Sequence, residues 1–81
     1  MSKKIERIAV DSSMLNAVAY DEEEQILYAE FSNTGNIYAY YEVEKEIFEE
    51  LLEADSVGQF MRSDIIGVYG DGKVNRRNFK W

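Results

Sequence analysis

Side-chain type alternates most regularly between Leu27 and Val43, and that alternation leaves few folds open to the chain. Leu27, Ala29 and Phe31 fall on one side of an extended backbone, and Tyr28 and Glu30 on the other. Five residues later, Tyr38 and Tyr40 alternate with Ile37, Ala39 and Tyr41. Aromatic and β-branched residues suit a pleated, half-buried surface. Asn33, Thr34, Gly35 and Asn36 lie between the two runs, and Gly and Asn accept the positive φ of a tight hairpin loop. The stretch therefore predicts a β-hairpin.

Leu15 to Tyr20 reads as a preceding strand with apolar residues on both faces. The acidic run Asp21-Glu22-Glu23-Glu24 is a solvated connection without the ligand spacing or glycine of a calcium loop. Ile8 and Val10 hint at a further short extended segment. Beyond Val43 the period changes. Ile47, Phe48, Leu51 and Leu52 share one helical face, and Glu44 and Glu46 sit in the first turn, where carboxylates suit the helix dipole. A helix is expected from about Glu44 to Ala54. Ser56-Val57-Gly58-Gln59 has capping-box spacing, so a short second helix from Val57 to about Asp64 should bury Phe60 and Met61. Gly58 in its first turn points to close backbone packing. Ile65 to Tyr69 reads as one more short strand and Gly70-Asp71-Gly72 as a turn; beyond it the chain either forms a terminal hairpin with Val74 returning beside Val68, or is a basic, aromatic-tipped arm that orders on a partner.

These elements predict an α+β domain: a small antiparallel β-meander of three to five strands, with a helix and a short second helix packed on one face. Leu27, Ala29, Phe31, Tyr38, Tyr40, Phe48, Leu51 and Phe60 are the expected core. The chain divides into a lead over residues 1–7, the domain over 8–69 and a basic tail or terminal hairpin over 70–81. At 81 residues it is one domain with a modest core.

Composition narrows the chemistry. There is no cysteine and no histidine, which removes the thiol nucleophile, the usual general base and the commonest metal ligand. Ser12 and Ser13 lack a neighbouring activating base, and paired carboxylates such as Glu42 and Glu46 form no recognisable catalytic motif. The expectation is a non-enzymatic protein without cofactor or metal. With no long apolar run and no cysteine, the reading is cytoplasmic, with no membrane partner. The net charge of −7 is uneven. Lys3, Lys4 and Arg7 against Glu6 leave residues 1–7 at +2, residues 8–61 carry −12, and residues 62–81 carry +3.

An ordered set of residues resembles the KTSC domain, a small domain named from the C-terminus of some lysyl-tRNA synthetases and also found as stand-alone proteins. The set is Val10-Asp11-Ser12-Ser13, Tyr20-Asp21, Leu27-x-Ala29-x-Phe31, Gly35, Tyr38-Ala39-Tyr40, Phe48 and Leu51, Ser56-x-Gly58-x-Phe60, Ile65 and Tyr69. The resemblance spans residues 8–69. It departs from the family pattern at Glu44-Lys45, where the helix usually opens with proline, and in the acidity of the body. Through the synthetase association it implies RNA binding.

Three function classes follow. One is a binding module for RNA or single-stranded DNA, with Tyr38, Tyr40, Tyr41, Arg76, Arg77, Lys80 and Trp81 as contacts: rings for bases, cations for phosphates. If Tyr38 and Tyr40 lie under the helix, Tyr28 and Tyr41 take their place. The second is a protein-interaction module that uses a free sheet edge or an aromatic face, and the acidity suits a basic protein partner. A small enzyme is the third and weakest.

Overall fold

The structure, a computed structural model, describes residues 5–75 and Phe79. Five antiparallel strands run in sequence order across one sheet: β1 (Ile8–Ala9), β2 (Leu15–Asp21), β3 (Ile26–Phe31), β4 (Ile37–Tyr40) and β5 (Asp71–Val74). Helix α1 (Lys45–Glu53) and helix α2 (Val57–Phe60) follow β4, and α2 widens into a π-helical turn over Met61–Ile65 before β5. Five strands and two short helices on one sheet face make the α+β meander expected from the alternation.

The β3–β4 hairpin forms with Leu27 opposite Tyr40 and Ala29 opposite Tyr38, so these four side chains share the helix-facing surface. Gly35 supplies the loop's positive φ of 74°. At the β2–β3 turn the Asp21 carboxylate accepts from the backbone N–H groups of Glu23 and Glu24, each at 3.1 Å, and Gln25 takes the left-handed conformation. A bulge between Leu15 and Ala17 sets Leu15 opposite Phe31 and Ala17 opposite Glu30. Strict alternation would group Leu15 with Ala17 and Ala19. The extra residue instead turns Leu15 toward the helices with Val18, while Ala17 and Ala19 face the back of the sheet.

The core lies between the sheet and the helices. Leu15, Val18, Leu27, Ala29, Tyr40 and Val43 pack there against Phe48, Leu51, Met61 and Ile65. Of the eight expected core residues, Leu27, Ala29, Tyr40, Phe48 and Leu51 are buried, and Phe31, Tyr38 and Phe60 are half-buried at its margin. Met61 is buried as expected, whereas Phe60 is not fully buried. Val57, Met61 and Ile65 recur every four residues along the buried stripe, which leaves Phe60 one position to the side. Leu52 is likewise exposed at the edge of the α1 stripe.

The Ser56 hydroxyl accepts from the Gln59 N–H at 3.2 Å, as the capping spacing predicts. A Cβ on Gly58 would stand 3.3 Å from Met14 Cβ, so the glycine serves close packing of α2 on the segment before β2. That segment is itself fixed by the Ser12 hydroxyl, which accepts from the N–H groups of Met14 and Leu15.

Two expectations about the last third fail. Ile65–Tyr69 is no strand: Ile66 N–H reaches back to the Met61 carbonyl at 2.7 Å, and Val68 and Tyr69 both bond the Ile65 carbonyl. This tight reversal satisfies the backbone locally and leaves Val68 exposed. Nor does a turn at Gly70-Asp71-Gly72 bring Val74 back beside Val68. Asp71 and Gly72 already lie in β5, which runs along β4 and sets Val74 opposite Ile37.

The back of the sheet is also largely buried, at Ala17, Ala19, Ile37 and Ala39. Two contacts lie over it. The Arg7 guanidinium bonds the Glu30 carboxylate at 3.1 Å, and the Phe79 ring lies 4.4 Å from that of Tyr28.

A candidate binding groove beside the β3–β4 hairpin

On the helix-facing surface Val18, Leu27 and Tyr40 are buried, whereas Phe31 at the end of β3 and Tyr38 at the start of β4 are only half-buried. Phe31 and Tyr38 meet there as an edge-to-face pair with ring centroids 5.6 Å apart. Tyr40 and Ile66 continue the apolar wall, while Asn33, Thr34 and Asn36 from the hairpin loop and Asp71 from β5 supply polar groups. Together they line an open groove of about 330 Å³. Rings with a few convergent polar groups are the usual make-up of a binding site. Asp71 stands opposite Tyr40 across the β4–β5 pair, and Lys73 opposite Tyr38. Lys73 borders a neighbouring depression with Asn36, Val74 and Asn75.

The residues expected to make contacts separate by position. Tyr38 is half-buried and reaches the groove. Tyr40 is 2 % exposed, so its ring faces are spent on the core. Burial, with the neighbouring Asp71 and then Tyr38 adding to it, pushes the Tyr40 phenol up to about 12. Tyr41 is 44 % exposed, but it faces the back of the sheet, where its hydroxyl lies 3.1 Å from the place a Cβ on Gly72 would take. Tyr28 shares that side and already has Phe79 against it. Arg76, Arg77, Lys80 and Trp81 lie outside the described residues. The groove therefore gathers Tyr38 and the flank of Tyr40, and separates both from Tyr41.

Asp71 was legible only as a turn residue and Phe31 only as core. A strand ending in an aromatic, followed by an Asn-rich loop and Tyr-x-Tyr, does signal an aromatic hairpin tip. Nothing local signals that Asp71 closes it.

Electrostatically the surface is acidic. Glu44, Glu46, Glu49, Glu50 and Glu53 are all exposed on and beside α1. Among the described residues, two of the four cations are already engaged: Arg7 with Glu30, and Lys45 with Glu22 at 2.6 Å. The Glu22 contact raises the Lys45 ammonium pKa. Among the described residues no three carboxylates converge as a metal site, and no helix is long and apolar enough to cross a membrane.

The model of the KTSC domain matches residues 11–69, which run from the Ser12 turn through β2–β4 and the helices to Tyr69. The chain belongs to the KTSC domain family. The crystal structure of a KTSC domain protein from Yersinia pestis superposes with a TM-score of 0.84 at 27% identity, covering 88% of this chain and 99% of that one. An uncharacterised protein of Stutzerimonas stutzeri is 47% identical over 55 residues, 68% of this chain and 76% of its own length. A protein of Tsukamurella paurometabola is 48% identical over 52 residues, 64% of this chain and 76% of its own. The KTSC match takes in Phe31, Tyr38 and Tyr40 and ends two residues before Asp71, so the acidic wall of the groove lies beyond it.

Proposed function

We propose that this KTSC protein is a non-catalytic binding module whose groove takes a basic segment of a protein partner. The observation that carries the reading is the pairing of an aromatic wall, Phe31 and Tyr38, with the Asp71 carboxylate. A guanidinium or ammonium group over an aromatic face gains from the ring quadrupole, and a nearby carboxylate adds direct attraction. The net charge of −7 attracts such a partner from a distance and repels a phosphate backbone. With no His and no Cys, the groove is also poor in groups for proton transfer or nucleophilic attack.

The alternative is single-stranded RNA or DNA, favoured by the cation and ring content of Arg76, Arg77, Lys80 and Trp81. In that mode the tail grips phosphates, and Tyr38 is the one groove tyrosine left to meet a base.

A titration separates the two. Labelled Arg-rich and Lys-rich peptides and single-stranded RNA are added in parallel to the wild type, Tyr38→Ala and Asp71→Asn. The protein reading expects peptide binding that weakens roughly tenfold with either substitution. Binding of RNA alone, with a steep fall in affinity as salt rises, would replace it.

A further inference from the structure

We infer that β5 is a self-pairing edge, and that a second copy of this chain adds to it antiparallel about Gly72. Among the described residues, β5 ends the sheet and pairs with β4 on one side. Which backbone groups face outward follows from the ladder. Tyr41 N–H bonds the Gly70 carbonyl at 2.9 Å, so residues 41 and 70 are a hydrogen-bonded pair. In an antiparallel ladder such pairs alternate. Ala39 with Gly72 and Ile37 with Val74 are then the next bonded pairs. Asp71 and Lys73 therefore turn their N–H and C=O groups to the open edge, and both side chains are exposed.

The sequence Asp71-Gly72-Lys73 is complementary to itself when reversed. An isologous antiparallel pair with Gly72 on the two-fold axis sets Asp71 of each copy opposite Lys73 of the other. These are the residues whose backbone groups point outward, so each opposed pair exchanges two ladder bonds and also brings opposite charges together. Gly72 then meets its own copy at a non-hydrogen-bonded position, where facing side chains come closest. A residue without a side chain is suited to that place, and Tyr41 already covers it from the back. The neighbouring registers fail on charge: an axis at Asp71 opposes two carboxylates, and an axis at Lys73 opposes two ammonium groups. A lysine on an edge strand ordinarily discourages pairing. Here the reciprocal aspartate turns the same residue into a register mark.

The joint sheet has ten strands with both helical layers on one side. Because Asp71 also borders the groove, self-pairing and capture of a cationic side chain there compete for one carboxylate. The inference does not depend on the proposed partner, and its test contains no ligand.

The test is sedimentation equilibrium of the full chain from about 10 µM to about 1 mM, with circular dichroism to check each variant's fold. The wild type is expected to show a monomer–dimer equilibrium. Asp71→Lys alone and Lys73→Asp alone each oppose like charges at two places and should weaken dimerisation roughly tenfold. An equimolar mixture of the two variants opposes unlike charges at both places and should restore a dimer, as should the double swap. A wild type that stays monomeric throughout overturns the inference. So does a dimer indifferent to the single swaps, or a mixture no more associated than its components.

Discussion

The Tyr20 hydroxyl donates to the Val43 carbonyl oxygen at 2.5 Å, and so ties β2 to the connection two residues before α1. The same ring stacks on Phe48 with centroids 5.0 Å apart and planes 13° from parallel. One side chain thus fixes both the entry and the first turn of the helix. Glu42, three residues before α1, holds a positive φ of 59°, and Val43 N–H bonds the Gln25 carbonyl. The connection is a sharp bend held from both sides.

Tyr20→Phe keeps the stacking and strands a buried carbonyl. It should cost about 1.5 kcal/mol, read in thermal melts as a Tm lower by roughly 6–12 °C. Tyr20→Ala, which also empties the space over Phe48, should cost at least twice as much, about 3 kcal/mol or more. Equal losses in the two variants would mean that the hydroxyl, and not the ring, holds the helix.

Tyr40 should make the fold sensitive to alkali. Its phenol is raised from 10.0 to about 12, by burial first and by Asp71 and Tyr38 after it. Burial and then Glu22 move Tyr20 in the same direction. A phenol with a raised folded pKa stays protonated in the native state after the unfolded chain has lost that proton. The unfolded state then binds fewer protons, so stability is full below pH 10 and declines as pH rises toward about 12. Urea midpoints taken across that range should fall with pH, and Tyr40→Phe should flatten the fall. Asp71→Asn should lower the Tyr40 transition seen in phenolate absorbance while leaving it above the ordinary value, since burial is the larger cause. A Tyr40 transition at the ordinary phenol value would show that its ring is accessible.

Gly58 tests how tightly α2 sits on the segment before β2. In an open helix, Gly→Ala stabilises by about 1 kcal/mol. Here the new methyl would meet Met14 Cβ at 3.3 Å and Ser12 Oγ at 3.5 Å. Both neighbours belong to a segment pinned by the Ser12 hydroxyl, so they give way poorly. Gly58→Ala should therefore bring no gain, and Gly58→Leu should lose more than about 2 kcal/mol by overpacking. Chemical denaturation of the three proteins measures this directly. A stabilised Gly58→Ala would mean that the helix does not press on Met14.

The strands and helices were legible because each writes a local period. Leu27 to Tyr41 alternates and α1 repeats every three to four residues, while Gly35 and Ser56 mark a turn and a cap. Those patterns follow from how side chains leave a backbone, and they determined the meander, the helix-covered face and most of the core. They also misplaced whatever depends on one added residue or one long-range choice. The bulge before Ala17 inverts the facing of Leu15, and the reversal after Ile65 resembles a strand in composition alone. Tyr38 and Tyr40 look alike in sequence, yet Tyr40 is sealed in the core and Tyr38 lines a groove. The difference is set by where the helical layer ends, a matter of packing between distant elements. Asp71 likewise meets the aromatic corner because β5 adds to β4 across some thirty residues of chain, a pairing that no local period encodes. The sequence by itself determined the strands between Leu15 and Tyr40, helix α1 and the capped start of α2, with most of their apolar faces. Tertiary packing alone decided which aromatics stay open, which charge stands beside them and which strand is left as the edge, because burial is shared out only after the elements have docked.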